Sequence, residues 1–335
     1  MPFQSGAAAV LAAAGLDALI GDPLWGPHPV VLMGKLISRL RLWIEPLSGD
    51  RPHALRLGGG LITAVLVLAA GTCGWLVEQL ARVSPVGTAL LVLGLASALA
   101  ARSLHDSVAA ILHALPVHPQ GDLTAARERL SWIVGRDVQQ LQEPEILRAA
   151  AESASENAVD GLFAPLFWMI VGVVLQAISS QLPGPLALAW AFKASSTLDS
   201  MLGYRHGRLR WLGTAGAKLD DLLTWLPCRL VMITLPLVSR PWRELPALVR
   251  AAERDGAHDP SPNAGRSEAI YAHCAGAQLG GRNRYGEQWI DKPLLAADQP
   301  QADRAGVNRI LMLTCRLESL WLLLLLLAAL LVADQ

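Results

Sequence analysis

The chain has 335 residues, 53% of them hydrophobic and only 17% charged, with a mean hydropathy of +0.37. Soluble domains average about 25% charged residues, so this composition excludes an ordinary soluble domain. Lys and Arg number 28 and Asp and Glu 28, so no net field draws the chain toward nucleic acid, and no nucleic-acid partner is expected.

Apolar runs are taken in chain order against the ~20 helical residues needed to cross a bilayer. Gly6–Ile20 is short and carries Asp17. The N-terminal Met1-Pro2-Phe3-Gln4 has no Lys or Arg, so this run is expected to be a retained helix and not a cleaved signal peptide. Leu57–Leu80, Pro85–Ala101 and Leu162–Ser179 are strong candidates. Leu186–Leu202 is weaker, because Lys193 and Asp199 interrupt it. Leu222–Val238 is weaker too, with Pro227, Arg229 and Pro236. The clearest run is Ile310–Val332, which includes six consecutive leucines, 322–327. The fold class expected is all-α: a polytopic helical membrane protein with polar cytosolic helices and a long glycine-rich loop segment.

Lys and Arg crowd four polar segments: 22–56, 102–160, 205–218 and 240–309. The links near Ser84 and Pro183-Gly184-Pro185 are short and almost uncharged. The positive-inside rule puts the basic segments in the cytosol. Seven full spans would place one of them outside, so Leu222–Val238 is expected to re-enter or to lie in the interface. Residues 1–335 read as one integral membrane domain, with 102–160 a cytosolic helical loop and 240–309 a cytosolic loop segment. Within the first loop, helices are expected over Leu123–Ile133 and from Pro144 through Asp160. In the second, Trp242–Glu253 reads as an amphipathic surface helix, followed by the glycine-rich stretches around 260–266 and 280–286. Cys73, Cys228, Cys274 and Cys315 form no CxxC pair, which argues for reduced thiols and against zinc or a disulfide framework.

The polar segments hold the candidate chemistry. Glu152, Glu156 and Asp160 recur at i, i+4 and i+8, on one helical face. A solvated face would explain an acidic pair. A stripe of three running into Leu162–Phe167 without a local cation favours a hard divalent cation held by oxygen. Lys193 and Asp199, with Thr197, Ser200, Gly203 and Tyr204, place charge inside an apolar run, where it is either functional or a structural ion pair. Asp220 and Asp221 follow Lys218 and precede an apolar run, a second acidic candidate for metal or phosphate. Gly21-Asp22-Pro23 with His28-Pro29 is a further polar motif, and a lone histidine such as His28 is more often a hydrogen-bonded structural residue. Asn263, Gly265, Asn283 and Gly286 offer amides for phosphate oxygens. Neither GxxxxGK[ST] nor GxGxxG occurs.

Taken in order, these motifs resemble the adenosylcobinamide-phosphate synthase family, membrane-bound amide-forming enzymes of cobalamin biosynthesis. The resemblance runs from about Gly15 to Asp303. It rests on Gly21-Asp22-Pro23, His28-Pro29-Val30, Met33-Gly34, Arg102-Ser103-Leu104, Gly135-Arg136-Asp137 and the ExxxENxxDG run Glu152–Gly161. It continues through Thr197-Leu198-Asp199-Ser200-Met201-x-Gly203-Tyr204, Asp220-Asp221, Ser261-Pro262-Asn263-Ala264-Gly265 and Gly280-Gly281-x-Asn283-x-Tyr285-Gly286. Ser196 departs from the family, which usually carries Asn before Thr197.

The resemblance implies ATP-dependent condensation of adenosylcobyric acid, a corrinoid substrate, with aminopropanol phosphate or ethanolamine phosphate. Glu152, Glu156, Asp160, Lys193 and Asp199 are the implied catalytic residues. Glu152, Glu156, Asp160, Asp220 and Asp221 are the implied Mg²⁺ ligands. His28, Arg136, Asn157, Thr197, Ser200, Tyr204, Asn263, Gly265, Arg266, Asn283 and Tyr285 are the implied substrate and phosphate contacts, with Arg284 beside them. The setting implied is the bacterial inner membrane, multi-pass, with a cytosolic active face and the lipid bilayer as partner. Homo-oligomers or association with other membrane enzymes of the pathway are a further partner expectation. A metal-dependent prenyl- or phosphatidyl-transferase would want more closely spaced carboxylates. A non-catalytic sensor related to the family would not keep every acidic and glycine motif. A transporter would carry its acids at mid-membrane.

Overall fold

The computed structural model describes residues 2–21, 28–118, 121–204, 206–286 and 288–333. Asp22 and Pro23 of the first motif lie outside the described residues. Six helical segments among those described are long and apolar enough to cross a membrane: Phe3–Ile20, Pro52–Ala81, Pro85–Ala114, Glu143–Ile178, Thr214–Ser239 and Arg304–Ala333. The chain is an all-α polytopic membrane protein with one small two-stranded sheet. It divides into two compact units. The first comprises 1–100, 160–224 and 322–335, and the second 101–159 and 225–321.

The first unit contains α1 (Pro2–Ile20), α2 (Pro29–Ser48), α3 (Pro52–Ala81) and α4 (Pro85–Ala96). It also contains α8 (Ala164–Ile178), α9 (Pro185–Leu202), α10 (Leu209–Leu212) and the start of α11 (Thr214–Ser239). Proline opens α2, α3, α4 and α9, where its missing N–H costs nothing and its fixed φ suits the first turn. The core gathers Ile37 of α2, Leu55, Ile62 and Leu66 of α3, and Ala194 and Leu198 of α9. On α3, Leu57, Leu61 and Leu68 are exposed, the outward apolar surface expected of a lipid-facing helix.

Small residues bring α3 and α9 together. A Cβ on Gly74 would stand 2.8 Å from Ala187 backbone atoms, so glycine permits this approach. One turn along, the buried Glu78 accepts hydrogen bonds from the backbone N–H of Gly184 (2.9 Å), Leu186 (2.7 Å) and Ala187 (2.9 Å), and from Gln176 Nε2 (3.0 Å). A carboxylate from one helix thus satisfies the free amides that open another, where the helix dipole favours negative charge.

Two weak runs resolve in opposite directions. Leu222–Val238 belongs to the continuous α11, which carries Pro227 and Pro236 within it and is long and apolar enough to cross a membrane. Leu186–Leu202 is helical as α9 but is not among the spanning candidates, because Lys193 and Asp199 lower its hydropathy.

The second unit contains α5 (Ala101–Ala114), α6 (Thr124–Ser131), α7 (Glu143–Ala158), α12 (Leu245–Gly256), α13 (Ala264–Ala275), strands β1 (Leu279–Tyr285) and β2 (Gln288–Leu295), the end of α11, and α14 (Arg304–Ala333) as far as Trp321. The helices expected at 123–133, 144–160 and 242–253 are present as α6, α7 and α12. α7 opens with a capping box between Gln142 and Glu145, and a π-helical turn, Val159–Phe163, follows it.

The expected glycine-rich loop is instead an antiparallel hairpin. Its register slips between Gly280 and Gly281, whose φ angles are +81° and +94°. A Cβ on Gly280 would lie 2.0 Å from the Pro293 carbonyl oxygen, so this bulge requires glycine. Alternation of apolar and polar residues is too weak across Gly-Gly-Arg-Asn-Arg-Tyr to announce a strand.

Candidate functional site

In the second unit, acidic and glycine motifs of the sequence meet at Glu152. Its Oε2 accepts from Arg136 Nη2 at 2.5 Å, and its Oε1 accepts from the Gly280 backbone N–H at 2.9 Å. Asn283 Oδ1 accepts from Arg136 Nη1 and from Arg148 Nη2, the latter at 3.0 Å. Arg148 also donates to the carbonyls of Gly280 and of Arg282, at 2.9 Å for the second. Glu152, Arg136 and Asn283 are all buried. Buried charges need partners, and here two arginines from the helical loop clamp the glycine-rich strand through one carboxylate and one amide. A cleft of about 270 Å³ opens beside Arg148, Gly280 and Arg282.

A second buried group adjoins in the same unit. Lys292 Nζ of β2 lies 3.4 Å from Glu268 Oε1 of α13 and 3.6 Å from Asp259 Oδ2. Glu268 is only 1% exposed. Burial pushes its pKa up to about 8. Lys292 pulls the other way, while Glu156, Glu152 and Asp259 push it further up. Burial alone would lower the Lys292 pKa, yet the surrounding carboxylates outweigh it and raise that pKa. The cluster thus holds a carboxyl whose pKa burial raises, beside an ammonium whose pKa the carboxylates raise, an arrangement that makes it a candidate functional site.

The Ser261–Gly265 motif builds a tight corner between α12 and α13. Asp259 Oδ1 accepts from Ser261 N at 2.8 Å, and Ser261 Oγ accepts from Asn263 N at 3.2 Å. A Cβ on Gly265 would lie 2.7 Å from the Gly256 carbonyl oxygen and 2.4 Å from Asp259 Cβ. Asn263 Oδ1 accepts from Arg229 Nη1 at 2.7 Å, and Arg266 grips Glu253 through Nε (2.8 Å) and Nη2 (2.6 Å). This bidentate bond holds the Glu253 carboxyl below its ordinary range. Asn263 and Arg266, expected to hold phosphate, thus have protein partners that fix the corner supporting Asp259 and Glu268.

Asn157 is exposed and donates to the Ser153 carbonyl at 2.8 Å. In the first unit, Thr197 and Ser200 return their hydroxyls to the carbonyls of Lys193 (2.6 Å) and Ser196 (2.9 Å), bonding their own helix. Lys193 and Asp199 both lie on α9, half-buried. A Cβ on Gly203 would fall 2.2 Å from Asp199 Oδ1, which accounts for that glycine. Tyr204 is exposed, its ring 5.7 Å from that of His206. His28 caps α2, its Nδ1 accepting from Val30 N at 3.3 Å. The Tyr285 side chain lies outside the described atoms, and its backbone pairs with Gln288.

Of the expected metal set, Glu152 and Glu156 lie in the second unit and Asp160, Asp220 and Asp221 in the first. Both oxygens of Glu152 are occupied by Arg136 and Gly280. Among the described residues, no group of three or more His, Cys, Asp or Glu is arranged to hold a metal ion.

Arg148, Asp259, Glu268 and Lys292 were missed from sequence. Glu268 had a signal, as a lone acid within the Ala-Ile-Tyr-Ala face of α13. Lys292 had none, since its strand was unforeseen.

Comparison with known proteins adds identity to this geometry. Residues 10–314 match the family described as CobD/Cbib protein. The chain is 42% identical over 282 residues to cobalamin biosynthesis protein CobD of Synechocystis sp., covering 84% of this chain and 79% of that protein. It is 38% identical over 306 residues to cobalamin biosynthesis protein CbiB of Salmonella typhimurium, with 89% of each covered. It is 39% identical over 292 residues to CobD of Pelobacter propionicus, with 84% of each covered. No solved structure matches the chain. The match over residues 10–314 and these identities across most of the chain establish that it belongs to the CobD/CbiB family of cobalamin biosynthesis proteins.

Proposed function

We propose that this protein is an ATP-dependent amide ligase that joins adenosylcobyric acid to aminopropanol phosphate or ethanolamine phosphate, giving adenosylcobinamide phosphate. Family membership supports the pathway. The observation that carries the chemistry is the buried Glu268 carboxyl, 3.4 Å from Lys292 Nζ, whose pKa burial raises.

A carboxylate is a poor acyl donor. Transfer of the γ-phosphoryl group of ATP to its oxygen gives an acyl phosphate and ADP. The amine nitrogen then attacks the carbonyl carbon, the carbon–oxygen bond to phosphate breaks, and inorganic phosphate leaves. The attacking nitrogen must shed a proton, and a base with a pKa near the working pH does this best. Glu268 is assigned that role. Lys292 keeps Glu268 ionisable in spite of burial and stands where negative charge develops. Arg148 and Arg282 line a cleft suited in size to the small phosphate ester, and guanidinium groups match phosphate geometry. Mg²⁺ is proposed as the companion of the nucleotide, with no protein ligand set assigned to it. The inner membrane is the proposed location, with the polar segments 102–160 and 240–309 facing the cytosol, where the basic residues put them.

The test uses Glu268→Gln in detergent. ADP release driven by adenosylcobyric acid should persist while amide formation falls about a hundredfold or more. Equal amide yield in the variant and the parent would remove Glu268 from the chemistry.

A further inference from the structure

Away from the Glu152 and Glu268 clusters, three arginines converge on one pocket of about 370 Å³ in the second unit: Arg240, Arg309 and Arg316. Arg240 follows the last residue of α11. Its Nη2 comes 3.5 Å from where a Cβ on Gly276 would stand, so it lies over the left-handed end of α13. Arg309 Nε donates to the Ala275 carbonyl at 2.7 Å. Arg316 follows seven residues later on α14, two turns along the same face and roughly 10 Å away.

A cation at a helix C-terminus is an ordinary stabilising device. It accounts for one N–H of Arg309 and for Arg240 over the same helix end, and leaves Arg316 unexplained. Among the described residues none of the three makes an ion pair with a carboxylate. Glu318 sits two residues beyond Arg316, about 200° round the helix, where it does not face the pocket. Three guanidinium groups facing one cavity repel each other unless an anion sits among them. The remaining wall includes Met312 and Leu313, which suit an alkyl chain. The pocket also lies where one candidate span, Thr214–Ser239, ends and within the first half of another, Arg304–Ala333.

We propose that Arg240, Arg309 and Arg316 form a site for a phosphate group, with the headgroup of an anionic phospholipid as its source. This site is separate from the proposed ligase chemistry and does not depend on it.

The test is native mass spectrometry of the purified full-length protein from micelles containing equal phosphatidylglycerol and phosphatidylcholine, with inorganic phosphate added in a parallel series. The parent should retain phosphatidylglycerol at least tenfold over phosphatidylcholine. Arg240→Gln with Arg316→Gln should lose that preference, whereas Arg129→Gln, which removes a charge from α6, should keep it. Should the double variant not elute as a single species, Arg316→Gln alone, at an exposed position, carries the comparison with an expected severalfold loss. Displacement of the lipid by millimolar inorganic phosphate, or retention of phosphate in place of lipid, would keep the phosphate site and assign it to a soluble ligand. A variant that holds lipid and phosphate like the parent would overturn the site, as would a parent that prefers neither.

Discussion

Glu152 on α7 accepts a hydrogen bond from the backbone N–H of Gly280 on β1 at 2.9 Å, across 128 residues of sequence. This contact joins the acidic helix to the glycine-rich strand, and Arg136 and Arg148 brace it from either side. Glu152→Gln should therefore act on stability as much as on rate. It leaves the buried Arg136 without its counter-charge, a loss of about 3–5 kcal/mol. Thermal unfolding in detergent should show a large drop for Glu152→Gln and a smaller one for Glu152→Leu combined with Arg136→Met. Equal unfolding temperatures in the parent and Glu152→Gln would mean that the pair is not buried.

Gly280 within β1 and Gly286 just after it should respond differently. Gly280→Ala meets the Pro293 carbonyl and a φ of +81°, so the bulge cannot survive it. Gly286→Ala meets nothing within 4 Å and only a φ of +60°, a cost of about 1 kcal/mol. Hydrogen exchange should show lost protection across 279–295 for the first and little change for the second. Similar behaviour would contradict the bulge.

The titration of Glu268 carries a sign. Its pKa is raised from 4.5 to about 8, so between those values the folded state holds a proton that the unfolded state has released. Stability from this group is therefore lost as pH rises through that window. Glu268→Gln should flatten the fall in unfolding temperature between pH 5 and 8. In the assay, Lys292→Met removes the cation that lowers this pKa and should move the acid limb of the rate profile to higher pH. Asp259→Asn removes a neighbouring carboxylate and should move it lower. An unmoved limb in both variants would assign that limb to another group.

Glu78 tests the first unit independently. Its carboxylate meets three backbone amides at the start of α9. Glu78→Ala should lower stability by about 2–4 kcal/mol, since it orphans several buried donors, and Glu78→Gln should recover part of this. A Glu78→Ala protein as stable as the parent would deny the cap.

Long apolar runs and loop helices could be read directly, because each depends on local hydropathy and on punctuation such as Pro52, Pro85 and Pro144. The continuity of α11 could not, because Pro227 and Pro236 look like breaks until tertiary packing holds the helix together. Motif spacing singled out Glu152, Arg136 and Asn283, which share one bonded network. Lys292 and Arg148 stayed hidden because they act through an unforeseen hairpin. Arg266 and Asn263 carry the right chemistry for phosphate, and spacing gives no warning that Glu253 and Arg229 are their partners in the fold.

The most direct measurement is turnover by the purified protein in detergent with adenosylcobyric acid, aminopropanol phosphate and Mg-ATP. Adenosylcobinamide phosphate should form with one ADP released per amide bond, and omission of the aminoalcohol phosphate should stop corrinoid product. Folded protein that yields no corrinoid amide with either aminopropanol phosphate or ethanolamine phosphate, or that yields it without nucleotide, would contradict ATP-dependent amide ligation.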